Sequence, residues 1–309
     1  MNSVYDVLVL GGGPGGYTAA MYAARAGLKV LVLERLAAGG QIALTHQVDN
    51  YPGFEEGIDG FTLGMKMQQG AQRFGAQTVY EDVTAVELQG ELKKLHTSSR
   101  TYFGRTVILA TGANPRKLGL PMEEELTGRG VHYCAACDGM FYKGKTVMLV
   151  GGGNSAVADA LILARVAKKV VIVHRRDTLR ASRIYHEPLM QLDNVEILWN
   201  SEVVSLVHDQ RLEGAVVRNR LSGQQVQVPC NGVFISVGRQ PATELFRGAI
   251  DLDESGYIVA DESTKTNVPG VYAVGDVRTK AVRQIVTATS DGAVAAHEIE
   301  EYLMDSVAQ

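Results

Sequence analysis

The sequence predicts an α/β fold of two similar three-layer domains, the second inserted into the first. Three observations lead there. At 309 residues with 46% apolar content, the chain is longer than one ordinary core accommodates. It also repeats itself, because Gly11 to Arg35 matches Gly151 to Arg175 at a constant offset without a gap. Finally, short apolar runs alternate with helical stretches, the order that builds a parallel sheet.

Taken along the chain, Tyr5 to Leu10 is a strand, GGGPGG follows at Gly11 to Gly16, an alanine-rich helix runs to about Arg25, and Lys29 to Leu33 is the next strand. Turn-rich segments follow at Gly39-Gly40-Gln41 and Asn50-Tyr51-Pro52-Gly53. A polar, strand-like region from about Gln77 to Tyr102 leads to the apolar run Val107 to Ala110, which ends in Thr111-Gly112. The second copy reads Thr146 to Val150, GGGNSA, a helix to about Ala167, and Val170 to Val173. Val233 to Gly238 closes it, and Val271 to Val274 ends in Gly275-Asp276. This pattern assigns 1–114 and 245–309 to one domain and 115–244 to the other. Two linkers would then join them, as in a hinge.

Each glycine turn has the spacing of a Rossmann-like dinucleotide-binding unit. One glycine makes the tight turn, one lets backbone approach a pyrophosphate, and a small residue packs helix on strand, with the helix N-terminus facing the anion. The candidates are Gly11, Gly13, Pro14 and Gly16 in the first copy, and Gly151, Gly153, Asn154 and Ser155 in the second. The closing residue separates the ligands. Glu34, with Arg35 beside it, offers a carboxylate to a ribose 2′-hydroxyl, as in FAD or NAD. The equivalent residue in the second copy is His174, followed by Arg175, Arg176 and Arg180, whose guanidinium groups suit the 2′-phosphate of NADPH. A solvated basic loop is the plain alternative. Gly40, Gln41, Asn50, Thr111, Gly112, Gly275 and Asp276 are candidates to shape the flavin pocket, Asp276 by holding a ribityl hydroxyl or simply as a turn carboxylate.

Between the two glycine turns lies Cys134-Ala135-Ala136-Cys137-Asp138. CxxC spacing closes a small disulfide ring, the usual dithiol of cytosolic redox proteins. His132 extends the string to HxCxxC, and Cys230 could add a fourth ligand, so a zinc site stays open as an alternative. A buried, inert thiol is the other reading of Cys230. Asp138 is placed either to carry the proton that thiol exchange moves or to cap a turn.

Composition narrows the rest. With a net charge of −4 and no Lys/Arg tract, nucleic acid is not an expected partner. The apolar runs are too short to span a bilayer, and no signal peptide is read at the start, so the expected location is cytoplasmic. Three cysteines are too few for a disulfide scaffold.

With these residues in view, the chain resembles the low-molecular-weight, bacterial-type thioredoxin reductases almost end to end: GGGPGG at Gly11, GGQ at Gly39, CxxCD at Cys134, GGGNSA at Gly151, HRRDTLR at His174, GD at Gly275 and Arg283-Gln284. The resemblance implies FAD in the first domain, NADPH in the second, a homodimer, and an NADPH domain that rotates between two orientations. It implies that Cys137 faces the flavin, Cys134 attacks the disulfide of thioredoxin, Asp138 serves as acid/base, and Arg283 and Gln284 lie against the flavin. Another thioredoxin-fold protein, a peroxiredoxin subunit or a small dithiol oxidised with oxygen are the alternative partners. Two places depart from the family pattern: Ala158-Asp159 where two longer carboxylates are usual, and Met140-Phe141 where an aromatic pair is usual.

Overall fold

The structure is a computed structural model that describes residues 3–45 and 47–305. In chain order the first part comprises β1 (Val4–Leu10), α1 (Pro14–Arg25), β2 (Val30–Glu34), α2 (Gly60–Gln72), β3 (Gln77–Tyr80), β4 (Val83–Glu87), β5 (Lys93–Thr97) and β6 (Thr101–Leu109). A short strand, β7 (Ala113–Pro115), leads out of it. Then come β8 (Val131–His132), α3 (Ala135–Asp138), β9 (Thr146–Gly151), α4 (Asn154–Ala164), β10 (Lys169–Val173), α5 (His186–Met190) and β11 (Val195–Leu198). They are followed by β12 (Ser201–His208), β13 (Leu212–Asn219), β14 (Gln225–Pro229) and β15 (Gly232–Ser236). The chain returns through β16 (Arg239–Pro241) to β17 (Val271–Ala273) and α6 (Ile285–Asp305).

One compact unit runs to Asn114 and resumes at Gln240; the other is Pro115–Arg239. The return thus falls before the expected boundary at 244, because β16 already pairs with β7 and the Ala242 N–H donates to the Gly112 carbonyl at 3.0 Å.

In the first unit β3, β2, β1 and β6 form a parallel sheet. The end of β6 takes β17 as a further parallel neighbour, while its start pairs antiparallel with β5, which pairs with β4. Side chains alternate across this sheet as strand geometry requires. Val7, Val9, Val30, Val32 and Ile108 face the helices, packing with Ala19, Ala20 and Ala23 of α1 and Ala295 and Ala296 of α6. Leu8, Leu10, Leu31, Leu33, Val107 and Leu109 face the other way, against Leu95, Phe246 and Ile258. Truncating a residue such as Leu8, fully buried, to alanine costs about 2–5 kcal/mol.

The second unit repeats the plan. Its parallel sheet is ordered β11-β10-β9-β15-β8. Val147, Leu149, Val170 and Ile172 pack on Ala156, Ala160 and Leu163 of α4, whereas Met148, Val150, Val173 and Ile235 pack on Val203, Ala215 and Val217 of the antiparallel β12-β13-β14 sheet. Each unit is therefore helix, parallel sheet and antiparallel layer, the three-layer arrangement expected from the repeat. Among the described residues, no helix is long and apolar enough to cross a membrane.

Candidate functional site

The first glycine turn leaves β1 at Gly11, whose φ of 107° is open to glycine alone without strain. A Cβ there would meet the Ala110 carbonyl oxygen at 2.4 Å, and one on Gly16 would meet the Gly11 carbonyl oxygen at 2.0 Å. The turn is therefore as tight as backbone allows. Pro14 opens α1 with its φ preset, and Gly13 caps the helix with no side-chain hydrogen bond, so the first N–H groups of a 12-residue helix point outward. Nothing lies within 4 Å on the Cβ side of Gly13.

Several expected residues gather around this turn. Glu34 Oε2 accepts the Gly12 N–H at 2.7 Å and Oε1 accepts the Leu36 N–H at 3.0 Å; each oxygen keeps a lone pair for a further donor. The Gly39 N–H donates to the Gly12 carbonyl, and Gly40 backs onto Gly13. Gln41 donates to the Asn114 side chain at 2.8 Å, and Thr111 donates to the Ala242 carbonyl at 2.7 Å. Asn50 donates to Gln284 at 3.0 Å, joining two candidates far apart in sequence. Gly275 meets the start of α1, since a Cβ on Gly15 would lie 3.6 Å from the Gly275 nitrogen. Asp276 sits beside it, partly buried. Arg283 lies with its guanidinium 4.0 Å from the Tyr257 ring centroid, and its buried Nε has no hydrogen-bond partner among the described residues. Arg35 is exposed at the end of β2.

At the second turn Gly151 and Gly153 repeat the geometry, and α4 again begins without a side-chain cap. Asn154 accepts the Ser182 N–H at 2.7 Å, and Ser155 is exposed. The Arg180 N–H donates to the Gly152 carbonyl at 2.7 Å, which folds the basic loop back over the turn. Arg175, Arg176 and Arg180 are exposed, and among the described residues their guanidinium groups make no hydrogen bond or ion pair. The His174 ring is buried, with Nε2 2.9 Å from the Thr178 carbonyl, and a Cβ on Gly152 would lie 2.2 Å from it. Burial holds the imidazole below its ordinary value, and the ring lies beneath the arginine loop.

Cys134 and Cys137 are joined by a disulfide, with Cα atoms 5.3 Å apart, across the one-turn helix α3. The Asp138 N–H donates to the Cys134 carbonyl at 3.1 Å. Zinc needs free thiolates, which a disulfide does not offer. Cys230 is buried alone, and burial pushes its thiol up to about 12, so it is inert.

A family model described as pyridine nucleotide-disulphide oxidoreductase matches residues 5–292. The chain belongs to that family. It is 47% identical over 301 residues to a thioredoxin reductase of Listeria monocytogenes, covering 97% of this chain and 94% of the relative. To one of Peptoclostridium acidaminophilum it is 43% identical over 309 residues, covering 98% of each. Among solved structures, thioredoxin reductase from Streptococcus pyogenes matches with a TM-score of 0.92 at 42% identity, covering 99% of this chain and all of that one. The protein is thus an enzyme of the pyridine nucleotide-disulphide oxidoreductases that acts as a disulfide reductase through the Cys134–Cys137 pair, and its family implies FAD and NADPH as cofactors.

Sequence reasoning missed two groups of residues. Asp291 on α6 accepts the Gly275 N–H at 2.8 Å, the Arg278 Nη2 at 2.7 Å and the Lys280 Nζ at 2.7 Å. Burial acts to raise the Asp291 carboxyl, but the Arg278 and Lys280 hydrogen bonds outweigh it and leave the group below its ordinary range. This pinned carboxylate fixes the backbone under Asp276; a lone acid inside a helical pattern gave no signal of it. The second group surrounds Asp138 and includes His132, whose place in HxCxxC fits a metal ligand but gives no sign of this contact. Of the two departures from the family pattern, Asp159 is partly enclosed, and burial raises its carboxyl against a Ser236 hydrogen bond and Arg239, which lower it. Met140 and Phe141 are both exposed just beyond the dithiol.

Proposed function

We propose that the chain is an NADPH-dependent thioredoxin reductase with FAD at the first glycine turn and NADPH at the second. The observation that carries this reading is one disulfide-joined CxxC placed in a chain with two separate dinucleotide cradles. Both cradles fit the anion expected of them: an uncapped helix N-terminus and a glycine with open space where a Cβ would stand. Among the described residues, the buried Arg283 Nε in the first unit is a donor without an acceptor, and the guanidinium groups of the three arginines in the second, without partners, suit a 2′-phosphate. The names of the relatives supply thioredoxin as partner, and the resemblance supplies a homodimer and a cytoplasmic setting.

In this reading Glu34 orients one cofactor through its ribose and Arg175, Arg176 and Arg180 hold the other. The bound flavin supplies a two-electron path from NADPH to the cysteine pair. The residues of the chain then carry out the exchange. Cys134 as thiolate attacks one sulfur of the partner disulfide, forming a mixed disulfide and releasing a partner thiolate. Asp138 takes the Cys137 proton and passes it to that departing thiolate. The Cys137 thiolate attacks Cys134, restoring the intramolecular disulfide and expelling the second partner sulfur as a thiolate that water protonates. Two electrons have left the dithiol and reduced the partner.

The test is NADPH consumption with oxidised thioredoxin, using Cys137→Ser beside the wild type. The variant should lose thioredoxin turnover yet still bleach its flavin on addition of NADPH. Turnover preserved in the variant would refute the role of Cys137, and no turnover of any thioredoxin by the wild type would reject the partner.

A further inference from the structure

Asp138 is one end of a line of polar groups running inward from the dithiol. Its Oδ2 lies 2.9 Å from His132 Nδ1, and His132 Nε2 lies 2.6 Å from the Tyr142 hydroxyl. His132 is 7% exposed and Tyr142 8%, so bulk water does not compete for either ring nitrogen. Aromatic contacts clamp the imidazole in place. It stacks on Phe234 with centroids 5.1 Å apart, and Tyr142 meets it edge-on at 5.2 Å. Gly232 makes room for this, since a Cβ there would lie 2.5 Å from the Tyr142 ring.

A carboxylate only accepts, so His132 Nδ1 is the donor toward Asp138, while the Tyr142 hydroxyl, which can donate or accept, pairs with Nε2. Burial pushes the Tyr142 phenol up to about 12, which keeps it a donor throughout the working range. The Cys230 thiol and the Arg211 guanidinium also face Tyr142, and Cys230 stays protonated for the same reason.

We propose that His132 and Tyr142 are positioning residues for the dithiol: the imidazole, held by the tyrosine hydroxyl and clamped by the rings around it, keeps Asp138 oriented and ready to collect the Cys137 proton. This rests on the disulfide reductase reading above. The proton moves from Cys137 Sγ to Asp138 and on to the departing thiolate; His132 and Tyr142 each end with the proton they began with. Among the described residues, no other side chain donates a hydrogen bond to the Asp138 carboxylate.

The test measures single-turnover oxidation of the NADPH-reduced holoenzyme by 5,5′-dithiobis(2-nitrobenzoate) against pH, so that it does not depend on the protein partner, with the double variant Cys134→Ser/Cys137→Ser as the blank. His132→Ala should move the acid limb of the profile up by about one pH unit and slow exchange near neutrality roughly tenfold, the equivalent of one charge-assisted hydrogen bond to the carboxylate. KM for NADPH should not change. Tyr142→Phe, which keeps the ring packing, should move the limb the same way by less. His132→Asn, whose amide can stand in for the Nδ1–H donor, should recover part of the rate. Profiles identical to wild type in His132→Ala and Tyr142→Phe, with the blank slow, would overturn the proposal alone. A blank as fast as wild type would show that the dithiol reading itself has failed, and the proposal with it.

Discussion

The two glycine turns share a backbone and differ in the residue that closes them. In the first, Glu34 turns its carboxylate back onto the Gly12 N–H and stays at the mouth of the turn as a charged acceptor. In the second, His174 occupies the equivalent place but turns inward beneath Gly152, where its ring lies under the arginine loop. Above it Arg175, Arg176 and Arg180 stand exposed, with no hydrogen bond or ion pair from their guanidinium groups among the described residues. The same backbone turn is thus closed in two ways, by a carboxylate at the mouth of the first and by a buried ring beneath an arginine loop in the second.

The widest gap between the turns should open on replacing Arg175 and Arg180 together with alanine. Each lost charged contact costs about 1.5–3 kcal/mol, so NADPH affinity should fall by at least about a hundredfold while NADH use is little changed. Titration of both nucleotides checks this, and an unaltered preference for NADPH would erase the distinction drawn between the turns.

Next in size is an asymmetry behind the turns. Only the first is backed by the Asp291–Arg278–Lys280 cluster, and Asp291→Asn removes the nearer of two carboxylates from the buried Arg278, leaving the exposed Glu262 at 3.6 Å, at a cost of about 3 kcal/mol. Denaturant melts should show the loss. The same carboxyl sets a pH dependence. Its folded value lies below its unfolded one, so its stabilisation is fully present above about pH 4 and drains away as pH falls through the depressed folded value. Asp291→Asn should therefore flatten the acid limb of stability against pH; a limb as steep as in the wild type would place its origin elsewhere.

The smallest expected effect is Glu34→Gln, which exchanges a charged acceptor for a neutral one at about 1.5–3 kcal/mol. Flavin retention on dilution should weaken, with NADPH affinity untouched. Equal weakening of both would mean that the two turns do not act separately.

Much of this comparison was legible before any coordinates. The glycine spacing, the repeat and the alternating apolar strands reflect short-range rules of backbone and burial, and they placed both turns, both sheets and the CxxC. Sequence register gives the position of His174 but not the direction of its ring, which is buried beneath Gly152. The Asn50–Gln284 contact and the Asp291 cluster join segments distant in the chain, and no local pattern announces them. His132 was visible as a candidate, but its string HxCxxC also fits metal. Only the disulfide between its neighbours and the bonds to Asp138 and Tyr142 give it a different role. The second boundary shifted because β16 begins at Arg239, inside what reads as a loop.

The most direct measurement is an anaerobic titration of the flavin-loaded protein with NADPH, following the flavin spectrum and free thiols together. The account predicts uptake of four electrons per chain, two by the flavin and two by the Cys134–Cys137 disulfide, with two thiols appearing as the second pair enters. Uptake that stops at two electrons with the disulfide intact would contradict it.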